Sequence, residues 1–311
     1  MRPLYRNTLW QRACRRFINP KKDRFFLRKI DPDLVVISEG DLFEAREWLC
    51  LLIKTGIPYL TVTNACTPWL WPRDSEFSGL REAYLGARRL FFVSRENLDF
   101  FKMMMGAPSL EAEVVRNPFK VDYDQVAPWN EGASLRWACI ATADPDRKGQ
   151  DLLFRVMSSA KWRARNLQID LFCHGGRCHQ VLLNMKQQFA VDNIHIVTEH
   201  QSDISAIWRH RSALILPSRR EGLPLVAVEA MLSGRLCIVT DLGWNTEVIR
   251  DNETGFVASA PTVLALDEAM ERAWARRDDW QRMGKIAGEA IRKIIPRHPE
   301  DIFADKLLSF I

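Results

Sequence analysis

The sequence predicts an α/β protein of two doubly wound domains. Apolar strand-like runs alternate with segments of helical period, first over residues 34–115 and then over 135–258. That alternation specifies parallel sheets with helices packed on their faces. Between the two stretches, residues 120–134 lose periodicity and carry Pro128, Asn130 and Gly132, a linker composition. At 311 residues the chain can also bury two cores of ordinary size. The expected division is 1–127 for the first domain, 128–295 for the second and 296–311 for a terminal helix.

In the first domain, strands are expected at 34–38, 59–63, 90–94 and 114–115. Helices fall at 42–54, 80–89 and 96–105. Residues 66–79 (CTPWLWPRDSEFSG) fit neither period and read as a loop. In the second domain, strands fall near 135–142, 168–173, 193–198, 213–216, 236–240 and 255–258. Helices near 149–160, 178–190, 202–210 and 224–232 separate the first five of these. Pro261 is placed at the start of a further helix, followed by helices over 278–295 and 301–311. A ligand is expected outside the carboxyl ends of the second set of strands.

Hydrophobic content of 47% and charged content of 27% describe a globular chain. No apolar run reaches the ~20 residues of a membrane span, and a cytoplasmic protein is expected. Residues 1–30 hold ten Lys/Arg against one acid, a balance of +9. The net +5 less that +9 leaves −4 on the remainder, which argues against a nucleic-acid partner. Leu9, Trp10, Ala13 and Phe17 recur at helical spacing among arginines. That pattern fits a helix packed on its own domain, and is also compatible with peripheral membrane contact. Seven scattered cysteines read as reduced thiols. Cys173-His174 and Cys178-His179 flank Gly175-Gly176, and a strand end entering a glycine turn is preferred there over a zinc site. His195 and His210, among apolar neighbours, read as structural.

The stretch that carries chemistry runs from Leu214 to Glu247. A buried strand breaks at Pro217-Ser218. Glu221-Gly222-Leu223 precede a helix that Pro224 can open, with Leu225, Val228 and Leu232 on one face and Glu229 within it. Strand 236–240 then leads to Asp241-Leu242-Gly243-Trp244-Asn245-Thr246-Glu247. Amides and the positive dipole end at a helix start suit a phosphate, and carboxylates suit sugar hydroxyls.

The two glutamates seven residues apart, inside PSRREGLPLVAVEAM and followed by G-x-N-x-E, resemble the retaining group-one, glycogen-synthase-like glycosyltransferases of GT-B architecture. The resemblance runs from about Arg116 to the C-terminus. It implies two Rossmann-like domains, with the terminal helix crossing back to the first. It also implies transfer of a hexose from a nucleotide-diphosphate sugar to an acceptor hydroxyl with retention of configuration. By resemblance, Glu221 contacts the donor sugar with the amides of Gly222 and Leu223, and Glu229 holds the ribose. Lys148, in DPDRKGQDLL, stands at the family's diphosphate lysine, with Arg147 beside it. Gly243 and Asn245 belong to the loop approaching the sugar or phosphate, and Gly175 lines the nucleotide side. Asn117-Pro118 matches a hinge signature, and Asn64 stands where relatives have a histidine near the acceptor.

No metal or redox cofactor is expected, since neither an Asp-x-Asp motif nor a Gly-x-Gly-x-x-Gly fingerprint occurs. The expected partners are the nucleotide sugar and a carbohydrate or lipid-linked acceptor. The sequence departs from the family in three places. Thr142 replaces a usual arginine, Trp244 a usual glycine, and a basic helix stands where strand–helix units are usual. The first domain is therefore expected to be incomplete. A non-catalytic binding or partner subunit remains the alternative reading, ahead of a nucleotide-sugar epimerase.

Overall fold

In the computed structural model the alternation resolves into two parallel sheets; residues 20–129, 135–242 and 245–311 are described. The basic helix read at Leu9–Phe17 lies outside them, as do Gly243 and Trp244. Helix α1 (Pro20–Ile30) leads into β1 (Val35–Asp41), α2 (Arg46–Thr55), β2 (Tyr59–Ala65), α3 (Asp74–Leu85) and β3 (Arg89–Phe92). Helix α4 (Arg95–Met105) and β4 (Ala112–Val114) complete a four-stranded sheet of order β1-β2-β3-β4.

The second sheet is built from β5 (Arg136–Ile140), β6 (Gln168–Phe172), β7 (Ile194–Val197), β8 (Ala213–Leu216), β9 (Leu236–Thr240) and β10 (Gly255–Ala258). Its order is β10-β9-β8-β5-β6-β7, every pair parallel. The connecting helices are α5 (Pro145–Lys148), α6 (Gln150–Met157), α7 (Ala160–Arg163), α8 (His179–Gln188), α9 (Ile204–Trp208), α10 (Leu225–Leu232) and α11 (Asn245–Val248). Helices α12 (Val263–Ala275), α13 (Trp280–Arg292) and α14 (Pro299–Leu308) close the chain. No helix among the described residues is long and apolar enough to cross a membrane.

Strands β8 and β9 are buried at every residue, which explains why they read as unbroken apolar runs instead of alternating ones. Helix α10 departs from a one-faced helix. Ala227 to Leu232 are all buried, because α13 covers the side away from the sheet through Ala287 and Ile291. Pro224 is the N-cap of α10, one position before its first turn, and Thr262 caps α12 by accepting from Ala265 N–H at 3.3 Å, so Pro261 lies outside that helix. Helix α3 begins at Asp74, inside the stretch read as loop. Asp74 and Glu76 fall in its first turn, where carboxylates suit the dipole.

Phe119, Val121, Tyr123 and Ala127 pack into the core of the second domain. The chain thus joins that domain well before residue 128. Arg235, 2% exposed, fastens the same segment. Its guanidinium donates to the carbonyls of Trp208 (2.6 Å), Arg211 (2.7 Å), Pro128 (2.7 Å) and Ala127 (3.1 Å). Burial lowers its pKa to about 10, which leaves it a cation at neutral pH. Helix α14 lies on the first sheet. Phe303, Leu307 and Phe310 pack on Leu60, Val62, Phe91 and Val115, and Lys306 pairs with Glu113.

Glu39, at the end of β1, is 3% exposed. It accepts from Thr63 Oγ at 2.8 Å and Tyr84 OH at 2.9 Å. Burial raises its pKa to about 7, with the Thr63, Tyr84 and Ala45 hydrogen bonds opposing. Between the ordinary 4.5 and 7 the folded chain therefore holds a proton that the unfolded chain has released, and stability falls as pH rises. The cost is complete above 7, at about 3 kcal/mol. Glu39→Gln removes it. Its stability relative to wild type should rise by about 3 kcal/mol from acid to alkaline pH in denaturant titrations. A pH-independent difference contradicts this reading.

Candidate active site

The second sheet reverses its winding between β5 and β8, which opens a crevice at their carboxyl ends. The loop after β5 folds into α5, where Asp144 caps by accepting from Arg147 N–H. Gly149 ends that turn at φ 65°, and a Cβ there would stand 1.9 Å from the Pro217 carbonyl oxygen. Only glycine permits both the conformation and the approach. The loop after β8 is tied to the same turn, since the Arg147 carbonyl accepts from Arg219 N–H (2.8 Å) and Arg220 N–H (3.2 Å). The Arg219 guanidinium pairs with Asp151 and donates to the Pro145 carbonyl, while Arg220 pairs with Asp146.

These contacts bring together the two residues expected to be catalytic. Lys148 Nζ donates to Glu221 Oε1 at 2.8 Å, with the side chains 17% and 7% exposed. Ser218 Oγ donates to the same oxygen at 2.6 Å, and the Ser218 carbonyl accepts from Thr240 Oγ. Glu221 is thus held by a cation and a hydroxyl at the floor of the crevice.

The remaining candidates divide. Glu229 is buried and accepts from Lys120 N–H at 3.0 Å. Burial raises its pKa, with that hydrogen bond and the Lys120 charge opposing. Arg147 lies 3.6 Å from Asp144, half-exposed. Gly175, at φ 77°, follows β6 beside Thr142, whose hydroxyl is buried and without a partner among the described residues. Leu223 points its side chain into the core of the second domain.

Two further candidates have close protein neighbours. Gly222 faces first-domain backbone, since a Cβ there would lie 1.7 Å from the Asn64 carbonyl oxygen. Asn245 is fully buried, and its amide donates to the Thr240 carbonyl at 3.0 Å. Gly243 lies outside the described residues. The cysteine–histidine cluster is spent on backbone: His179 Nε2 lies 2.6 Å from the Cys173 carbonyl and His174 Nδ1 lies 3.2 Å from that of Thr198. Among the described residues no group of three His, Cys, Asp or Glu side chains could hold a metal.

Sequence reasoning missed Ser218, Arg219, Arg220 and Glu247. Ser218 had a signal, a polar residue next to the proline that ends an all-apolar strand. Glu247 spans the domains, its carboxylate accepting from Glu96 N–H at the start of α4 (2.8 Å) and standing 3.9 Å from Arg116. Between the domains lies a cavity of about 250 Å³. The 66–69 loop, Glu96 and Asn97 wall it on one side, and residues 219–221, Asp241 and Leu242 on the other.

Two parallel sheets with a crevice at a winding reversal define a two-domain α/β protein of GT-B architecture. Residues 138–290 match the family model for glycosyl transferases group 1. The putative glycosyltransferase EpsF of Bacillus subtilis (strain 168) is 28% identical over 157 residues, covering 46% of this chain and 40% of that protein. Among solved structures, TarM superposes with a TM-score of 0.72 at 16% identity, over 92% of this chain and 57% of that one. Sucrose-phosphate synthase from Thermosynechococcus elongatus gives 0.76 at 13%, over 93% and 76%. HepE from Anabaena gives 0.75 at 13%, over 93% and 82%. The match thus spans 40% of the curated relative's length and 57% of TarM's. Residues 138–290, within the second domain, are similar to the group 1 glycosyl transferases.

Gly149→Ala places a methyl against the Pro217 carbonyl in a left-handed conformation. Thermal unfolding should show a loss of about 2–4 kcal/mol, larger than an ordinary surface substitution produces. An unchanged melting temperature would show that the two loops are not held by this contact.

Proposed function

We propose that the protein transfers a hexose from a nucleotide-diphosphate sugar to an acceptor hydroxyl, with retention of configuration. The observation that carries this reading is the Lys148–Glu221 pair, 2.8 Å apart, in the crevice between β5 and β8. A cation and a carboxylate together there suit the two halves of such a donor, an anionic diphosphate and a sugar rich in hydroxyls.

In the reaction, the acceptor oxygen forms a bond to the anomeric carbon on the face from which the diphosphate departs. The bond from that carbon to the phosphate oxygen breaks, and the acceptor's proton passes to the leaving phosphate. Lys148 offsets the charge that grows on the phosphate, and Arg147 adds to the field. Glu221 accepts hydrogen bonds from the donor sugar, and the Gly222-Leu223 backbone positions it. Glu229 serves the ribose, and Gly175 the nucleotide side. When the diphosphate draws Lys148 away, Glu221 keeps the Ser218 hydroxyl and takes the sugar's hydroxyls as new donors. No metal enters the scheme; its cation is Lys148. HepE was solved with UDP and with UDP and glucose, which makes UDP the first nucleotide to try.

Calorimetry with UDP and GDP should show saturable binding that Lys148→Ala weakens. In an assay with the matching sugar nucleotide, that variant should lose about 100- to 1,000-fold in kcat. Failure of both nucleotides to bind the intact protein at millimolar concentration would end this reading.

A further inference from the structure

Glu39 is a buried carboxyl group that the donor reading leaves unused. Besides Thr63 Oγ and Tyr84 OH, Ala45 N–H donates to it at 3.4 Å. Among the described residues no cation offsets it. The titratable groups that face it are Glu44 from the following turn, Tyr84 from α3 and Cys66 from the end of β2. Burial holds the last two neutral, and Glu44 adds charge of the same sign. A carboxylate so placed is tolerated only while its donors stay where they are.

The backbone of Glu39 leads directly to the donor loop. Its carbonyl accepts from Asn64 Nδ2 at 2.8 Å, and Asn64 Oδ1 accepts from Asn117 Nδ2 at 2.8 Å. The Asn64 carbonyl oxygen in turn lies against Gly222, the neighbour of Glu221 in the chain. Thr63, which donates to the Glu39 side chain, directly precedes Asn64, and Cys66 N–H is held by Asn97 Oδ1 at 3.3 Å. The carboxyl ends of β1 and β2 thus form a buried hub. A titratable group sits on one side of it and the Glu221 loop on the other. Backbone packed on backbone at Gly222 leaves no flexible side chain to absorb a shift.

Protonation decides how that hub is held. The neutral carboxyl costs little to bury. The carboxylate costs more, and it is relieved by admitting water or by drawing its donors closer, each of which moves the end of β2. Burial places the change near neutrality, at about 7. We propose that Glu39 is a positioning residue and proton switch for the donor site: its neutral form seats Asn64 against Gly222, and its ionised form loosens that seat. The effect on a donor rests on the glycosyl-transfer reading.

The test reads this contact in the full chain with and without nucleotide. Amide hydrogen exchange, corrected for its intrinsic dependence on pH, should quicken about fivefold or more at residues 64–66 and 221–223 between about pH 6 and about pH 8.5. Strand β9 should not change, and Glu39→Gln should keep the slow rates throughout. By calorimetry, UDP affinity should fall about fivefold over that range in the wild type relative to Glu39→Gln. The terminal phosphate of UDP titrates nearby, at about 6, but equally in both proteins. Asn64→Ala should abolish the difference in UDP affinity while the pH dependence of stability, which belongs to Glu39, persists. The proposal is overturned if exchange at 221–223 ignores pH in the wild type or quickens equally in Glu39→Gln. It is also overturned if UDP affinity follows pH alike in both, or if Asn64→Ala keeps the wild-type difference. Failure of UDP to bind at all would instead count against the transferase reading, while Glu39-dependent exchange at 221–223 would still establish the switch.

Discussion

The Lys148 turn and the Glu221 loop meet because Gly149 lies against the Pro217 carbonyl, and much of the site depends on that contact. A doubly wound sheet parts its connections where the winding reverses, so nothing covers the carboxyl ends of β5 and β8 unless their loops close on each other. Here they close through backbone, with the Arg147 carbonyl taking two amides from the other loop. The attraction between Lys148 and Glu221 is a poor candidate for the cause. Two largely buried charges lose hydration that their mutual attraction only partly returns. Ser218 and the backbone frame make the pair tolerable, and the pair in turn sets the electrostatics of the crevice.

The same logic joins the two domains. Gly222 admits the Asn64 carbonyl where any side chain would block it. Glu247 reaches the free amide end of α4, which supplies a natural seat for a carboxylate. Arg235 gathers carbonyls from the incoming segment and from the 208–211 turn of the second domain. A buried guanidinium survives there because its five donors find acceptors in a fixed fork. The floor of the cleft is consequently a set of backbone contacts, and the side chains lining it are carried by that backbone.

How much of this was legible follows from the range of each interaction. Strands at 213–216 and 236–240 could be placed to the residue, because complete burial leaves an unbroken apolar run. Helix α3 could not be started correctly, since its first turn is polar and follows a loop of prolines and tryptophans. Lys148 and Glu221 were visible as motif residues, but their pairing joins positions 73 residues apart. The approach of Gly149 to Pro217 leaves only a glycine in the sequence. Asn245 reads in the sequence as a polar residue of a loop that approaches a ligand. Its amide donates to a carbonyl five residues upstream, a local bond that spacing does not reveal.

On the glycosyl-transfer reading, the Lys148–Glu221 pair also bears on which ligands are kept. A bare nucleoside diphosphate would draw Lys148 away and leave Glu221 with the Ser218 hydroxyl alone, a mostly buried carboxylate short of a partner. The intact sugar nucleotide supplies hydroxyls to that carboxylate as it takes the cation, so both members of the broken pair are compensated. After transfer the sugar has left Glu221, and the original ion pair competes with the remaining diphosphate for Lys148. The same 2.8 Å contact therefore favours retention of substrate over retention of product, without a moving lid.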